Sequence, residues 1–97
     1  MANYTLTNRA VEDLSEIWLY TSETWSEKQA DKYYLLLIDS MKEVANRPEI
    51  GREYSEIKNG LRGVKVGRHI IFYLSASKNE IQVIRILHDR MDLMNKF

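Results

Sequence analysis

His69-Ile70-Ile71-Phe72-Tyr73-Leu74 and Ile81-Gln82-Val83-Ile84-Arg85-Ile86-Leu87 decide the fold. The first run is apolar at nearly every position, and the second is similar. Continuous apolar runs of this length suit strands covered on both faces. Only the short polar segment Ser75–Asn79 separates them, so they form a hairpin. Upstream, Leu61–Val66 is a weaker strand with Gly63 inside it, which suits an edge. It joins His69 through Gly67-Arg68, a tight turn. The second half of the chain therefore reads as a three-strand meander.

The first half has a different period. Asn3-Tyr4-Thr5-Leu6-Thr7 alternates polar and apolar residues as a short strand does. Thr7 or Asn8 can then cap a helix. Ala10, Val11, Leu14, Ile17, Trp18, Thr21 and Trp25 recur at steps of three or four, the buried stripe of an amphipathic helix. Acidic Glu12, Asp13 and Glu16 come early in it, where the helix dipole favours negative charge. Asp13, Glu16, Glu23 and Glu27 read as solvated helix faces.

Ser26-Glu27-Lys28-Gln29 has the form of a capping box and opens a second helix. Its buried stripe is Ala30, Tyr34, Leu37, Ile38, Met41 and Ala45. Leu35 falls on the polar face and Leu36 on its flank, either as scattered surface hydrophobes or as part of a groove for a partner helix. Arg47-Pro48 stops this helix. The two helices are so close in sequence that they pack as an antiparallel hairpin. Residues 46–60 read as a long loop, and 88–97 as a tail without defined form. The order β-α-α-β-β-β predicts one α+β domain over residues 1–97, a helical hairpin packed on a mostly antiparallel four-stranded sheet.

Composition narrows the chemistry. The 97 residues include no cysteine, which excludes disulfides, thiolate catalysis and cysteine-based zinc sites. Two histidines, His69 and His88, are a poor substitute, so no metal or other cofactor is expected. The longest stretch free of charged residues, His69–Ser77, is far too short to span a membrane. The N-terminus lacks the pattern of a secretion signal, so a cytoplasmic location is expected. Fourteen basic and fourteen acidic residues cancel, but unevenly: residues 1–50 hold five basic and nine acidic, and residues 51–97 the reverse. That asymmetry suits either mutual neutralisation in the fold or one face turned to an acidic partner.

Arg85 interrupts an otherwise apolar strand. On an open face it would meet phosphate or carboxylate; otherwise it needs an ion pair, with Asp89 or Asp92 as nearby candidates. His88 ends that strand beside Asp89, where a general base is conceivable and a structural hydrogen bond is commoner. Tyr54, Phe72 and Tyr73 could stack on bases, but a pI near 6.7 argues against direct nucleic-acid binding, and the last two suit a core. There is no phosphate-binding glycine motif, no paired catalytic carboxylates and no convincing triad spacing.

Five stretches together resemble one family. Trp25-Ser26-Glu27-Lys28-Gln29-Ala30 followed by Tyr33 or Tyr34 resembles the W-x-x-x-Q-A-x-x-Y stretch of ParE-type toxins. Pro48-Glu49-Ile50-Gly51-Arg52 resembles their P-x-x-G-R loop, and Ile57-Lys58-Asn59-Gly60-Leu61-Arg62 their I-x-x-G-x-R strand entry. His69-Ile70-Ile71-Phe72-Tyr73 and Arg85-Ile86-Leu87-His88-Asp89-Arg90-Met91-Asp92 resemble H-x-I-F-Y and R-I-L-H-x-x-M-D. The match runs in order from Tyr4 to Asp92. It implies the fold of the ParE/RelE superfamily and the toxin of a type II toxin–antitoxin pair.

ParE-type members poison DNA gyrase, whereas RelE-type members cut mRNA on the ribosome. The nucleases place basic residues and a C-terminal aromatic or histidine around the scissile phosphate. Arg62, Lys65, Arg85 and His88 match that set, but the tail from Asp89 to Lys96 has no tyrosine and only Phe97 is aromatic. This departure favours a gyrase inhibitor that acts by binding, with no catalytic residues. The resemblance then implies a target-facing set of Arg62, Arg85, His88, Arg90, Met91 and Asp92. It also implies a ParD-like antitoxin whose C-terminal segment wraps the toxin, with Trp18, Leu35 and Leu36 as anchors. The alternatives are a ribosome-dependent mRNA endonuclease and a degenerate member that is no longer toxic.

Overall fold

The computed structural model describes residues 2–97. Strand β1 covers Asn3–Leu6, and Thr7 ends it by starting helix α1 (Asn8–Thr24). The extended Thr7 accepts the Ala10 N–H on its hydroxyl oxygen at 3.1 Å and donates to the Ile84 carbonyl at 2.8 Å. The first contact satisfies one of the amides left open at a helix start, worth about 1 kcal/mol. The second ties that start to the far end of the chain. Helix α2 (Glu27–Asn46) begins in the same way, with Ser26 Oγ accepting the Gln29 N–H at 3.1 Å. It stops at Arg47, and Pro48 opens a single 3-10 turn through Ile50.

Then follow β2 (Arg52–Glu53), β3 (Arg62–Val66), β4 (His69–Ser77), β5 (Glu80–His88) and a final turn of helix, α3 (Leu93–Lys96). The strands form one sheet in the order β1-β5-β4-β3-β2. Strand β1 lies parallel to β5, and every other pair is antiparallel. The α+β class and element order are those the sequence predicts, with two corrections. The segment read as an unbroken loop contains the 3-10 turn and β2, so the sheet has five strands and β3 is not its edge. A two-residue strand has no alternation to read; only its pairing, Arg52 with Gly63 and Glu53 with Arg62, reveals it. The tail, left without form, ends in α3.

Both faces of the meander are covered, as its unbroken apolar runs require. Leu14 and Ile17 of α1 and Leu37, Met41 and Val44 of α2 pack on Ile71, Tyr73, Ile81, Val83 and Ile86. On the other face Ile70, Phe72 and Leu87 pack under Tyr54, Ile57, Leu61 and Leu93. Phe97 meets Phe72 edge-on, with 5.0 Å between ring centroids. A bulge re-phases β5: Tyr73 pairs with Val83 and Phe72 with Arg85, leaving Ile84 over. Val83 and Ile86, three positions apart, thus both reach the helix side.

The helix stripes differ from expectation in detail. Val11 and Trp25 are exposed and Asp13 is buried on α1, while on α2 Tyr34 is exposed and Val44 buried. Tyr33, not Tyr34, turns toward the sheet. Its hydroxyl donates to the Val66 carbonyl at 2.9 Å and accepts the Arg68 N–H at 3.2 Å. The turn that Tyr33 touches needs glycine: Gly67 has φ +58°, and a Cβ there would stand 2.8 Å from the Tyr33 ring.

The P-x-x-G-R loop is likewise held by a tyrosine. The Tyr73 hydroxyl donates to the Pro48 carbonyl at 2.6 Å and accepts the Gly51 N–H at 2.9 Å. Arg62 closes the arrangement by donating to the Gly51 carbonyl at 2.7 Å. Burial pushes the Tyr73 phenol above its ordinary 10.0, so the donor proton stays in place at neutral pH.

Candidate functional site

A shallow groove runs between the C-terminal half of α1 and the ends of β4 and β5. It consists of two adjoining hollows of about 360 and 370 Å³ that share Tyr20, His69 and His88. Glu16, Ile17, Arg90 and Met91 line one; Thr21, Trp25, Tyr33, Gly67 and Arg68 line the other. Tyr20, Trp25 and Met91 are exposed apolar groups on its walls. Arg68 and Arg90 are exposed, and neither has an ion-pair partner among the described residues.

Register places the two histidines side by side. His69 and His88 are directly paired residues of β4 and β5, with ring centroids 5.4 Å apart. His69 Nδ1 lies 2.8 Å from the Tyr33 hydroxyl. With the Tyr33 proton on the Val66 carbonyl, the contact is satisfied by the Nδ1–H tautomer of His69. His88 has the opposite arrangement. Its Nδ1 accepts the Arg90 N–H at 3.1 Å, which leaves Nε2 to carry the ring proton.

Asp89 supports the same corner. Its Oδ2 pairs with Lys65 at 3.1 Å, while Oδ1 is 3.3 Å from His88 Nδ1 and has no hydrogen-bond partner among the described residues. The Lys65 hydrogen bond holds the Asp89 carboxyl below its ordinary 3.8.

Burial, reinforced by His88, keeps the His69 pKa below its ordinary 6.5. The unfolded chain therefore binds more protons than the folded one between the depressed folded value and 6.5. Stability should fall as pH drops through that window and level off below it. His69→Gln keeps a donor for Tyr33 but cannot titrate, so its melting temperature should vary less over this range. An unchanged slope in the variant would show that His69 contributes nothing to the dependence.

The residues expected to face a target divide into four groups. His88, Arg90 and Met91 line the groove. Asp92 instead opens α3, where its carboxylate accepts from Asn95 Nδ2 at 2.6 Å. Arg62, the first residue of β3, is instead tied to the 48–51 turn and β2, bound to Gly51 and, at 3.3 Å, to Glu53.

Arg85 requires the plainest correction, because it is not on an open face. Its Nε and Nη2 donate to the two oxygens of Asp13 at 2.7 and 3.0 Å, and its Nη1 donates to the Lys96 carbonyl at 2.7 Å. The paired side chains are only 12% and 10% exposed. Asp13 also accepts the Ile86 N–H at 3.0 Å. The partner is thus neither Asp89 nor Asp92, and Asp13 is not a solvated helix acid. Sequence distance hides this pair; the one visible signal was that Arg85 lies in an apolar strand and must be compensated somewhere.

Of the residues expected to anchor an antitoxin, Leu35 and Leu36 are 58% and 49% exposed on α2 and line a hollow with Gln29, Lys32, Tyr33 and Asp39. Trp18 is partly buried, its indole N–H donating to Asp31 across the hairpin at 2.9 Å. Tyr20, Trp25, Arg68 and His69 were not foreseen as groove residues. Their aromatic or basic character is visible in the sequence, but Trp25 reads there as part of a buried stripe, and only the helix–strand contact brings the four together. Among the described residues no cluster of His, Asp or Glu could hold a metal, and no helix is long and apolar enough to cross a membrane.

A helical hairpin on a meander, closed by a parallel first strand, is the architecture class of the small ParE/RelE-like toxins. A solved chain described as the chromosomal ParDE TA system from P. aeruginosa shares this fold. Its TM-score is 0.74 at 19% identity, covering 91% of this chain and 96% of that one. The model of the ParE toxin of type II toxin–antitoxin systems, parDE, matches residues 4–93. Toxin ParE1 of Mycobacterium tuberculosis is 37% identical over 92 residues, covering 95% of this chain and 94% of the relative. Toxin ParE1 of Caulobacter vibrioides is 32% identical with the same coverage. Toxin ParE of Escherichia coli is 32% identical over 96 residues, covering 99% and 93%. The chain belongs to the ParE toxin family of type II toxin–antitoxin systems.

Proposed function

We propose that this toxin acts by binding DNA gyrase through the groove between α1 and the β4–β5 end, and that a ParD-like antitoxin on the helical hairpin neutralises it. Binding in place of cleavage is supported by one observation above all: every guanidinium nitrogen of Arg85 is occupied by Asp13 or the Lys96 carbonyl. A nuclease of the RelE type would need that cation free for phosphate. The remaining groove is of the kind that carries protein contacts, with exposed Tyr20, Trp25 and Met91 beside unpaired Arg68 and Arg90.

The experiment is inhibition of gyrase supercoiling and accumulation of cleaved DNA by the purified chain. Arg90→Glu combined with Met91→Ala should weaken inhibition by about tenfold or more, as loss of central interface contacts does. Both side chains are exposed, so the melting temperature should hardly change. Gyrase unaffected by the native chain, or equally inhibited by the variant, would refute this reading. His88 favours a second reading, ribosome-dependent mRNA cleavage, because it is an imidazole in the groove with a carboxylate beside it. Intact mRNA on ribosomes treated with the toxin would dismiss it. Absence of growth arrest on induction without antitoxin would identify a member that has lost toxicity.

A further inference from the structure

The outward face of α2 carries an arrangement that neither the groove nor the internal packing uses. Lys28, Lys32, Leu35, Leu36, Asp39 and Glu43 are all exposed. At 100° per residue they fall within about 50° of one line along the helix. Their order is basic, basic, apolar, apolar, acidic, acidic. It is also symmetric about the point midway between Leu35 and Leu36. Turning the helix end over end places Leu35 on Leu36, Lys32 on Asp39 and Lys28 on Glu43.

Within one chain these charges are badly placed. None of the four has an ion-pair partner among the described residues. Lys28 and Lys32 are like charges four apart, as are Asp39 and Glu43, and both spacings are repulsive on a helix. Lys28 in the first turn and Glu43 in the last sit opposite to what the helix dipole favours. Glu27 in the first turn offsets only part of this. A helix whose charges oppose its own dipole, and whose pattern complements itself when reversed, matches a second copy of itself running antiparallel.

We propose that the free toxin forms a two-fold symmetric dimer through α2, with Leu35 and Leu36 at the dyad and Lys28 and Lys32 of each copy facing Glu43 and Asp39 of the other. The same patch serves both partners, as a closed two-fold interface requires. The two helix dipoles also run antiparallel and attract. The patch spans about 22 Å of helix, so the contact is smaller than a standard interface and the association is weak and salt-sensitive. The dimer does not depend on the gyrase reading. It uses Leu35 and Leu36, so an antitoxin anchored there must displace it.

Sedimentation equilibrium of the purified chain tests this directly. The native chain should pass from monomer to dimer between low micromolar and submillimolar concentration, and high salt should shift that transition upward. The acidic variant K28E/K32E and the basic variant D39K/E43K should each dimerise about tenfold or more weakly, because every substitution turns two symmetric attractions into repulsions. An equimolar mixture of the two should dimerise again, as a heterodimer. The mixture also controls for folding, since misfolded variants would not rescue each other. A native chain that stays monomeric throughout overturns the proposal and leaves this face to an antitoxin alone. Variants that self-associate as tightly as the native chain, or a mixture that stays monomeric, overturn it equally.

Discussion

Asp13→Ala should lower the stability of this toxin by about 3–5 kcal/mol, the cost of leaving one member of a buried ion pair uncompensated. Arg85 would keep its charge in a site where it is only 12% exposed, with the Lys96 carbonyl as its remaining partner. The Ile86 N–H, which Asp13 also accepts, would lose its partner too. In a domain of this size such a loss lowers the melting temperature by ten degrees or more, on the order of 4–8 °C per kcal/mol. Chemical denaturation of the variant beside the native chain measures it. Replacing both residues with apolar side chains of similar volume, as in Asp13→Leu with Arg85→Met, should cost much less than Asp13→Ala alone. A full-size loss in the double variant would mean that the pair contributes net stability beyond mutual compensation.

The pair joins α1 to β5 across 72 positions and, through Lys96, fixes the C-terminal turn. That turn carries Phe97 onto Phe72 and Leu93 onto the second core. Arg85 therefore positions the tail that follows Arg90 and Met91.

The second large effect is expected from a single methyl group. Gly51→Ala would drive Cβ into the Tyr73 hydroxyl oxygen and place it 2.8 Å from the ring carbon that bears it. The ring is fully buried and cannot withdraw, so the 48–51 turn must move away from it. Overpacking of this kind costs about 1–3 kcal/mol. Loss of the two hydrogen bonds that the hydroxyl makes with Pro48 and Gly51 adds about 1–3 kcal/mol where a buried group is left unpaired. Together they should rival the Asp13 variant, read by the same denaturation experiment. Tyr73→Phe in the Gly51→Ala background removes the atom in collision, so the double variant should lose less than the two single losses combined. Strict additivity would show that the turn and the tyrosine do not share their energy.

The same structure joins several of the family-like stretches into single units. Pro48, Gly51, Arg62 and Tyr73 form one hydrogen-bonded unit, although the sequence presents them as three separate motifs. Tyr33 and Gly67 form another around the β3–β4 turn. Both units hold the fold, and the second also borders the groove through Tyr33 and Gly67, beside Trp25, His69 and the stretch around His88, Arg90 and Met91. Motif residues thus pointed correctly to the family but less well to the site, because a motif does not say which of its members packs and which is presented.

The sequence by itself determined the helices, the meander, the capping residues and the family. Each of these rests on contacts a few residues apart: Thr7 with Ala10, Ser26 with Gln29, the alternation or continuity of apolar positions along a strand. Tertiary structure alone decided that β1 closes the sheet beside β5, that Asp13 is the partner of Arg85, and that Tyr20, Trp25, Arg68 and Arg90 share a groove. The reason is physical. Local periodicity fixes which face of an element is apolar, but a charge in an apolar strand can be compensated from any element that passes over it. Which one does so depends on how the helix hairpin crosses the sheet, and no spacing within the chain records that crossing.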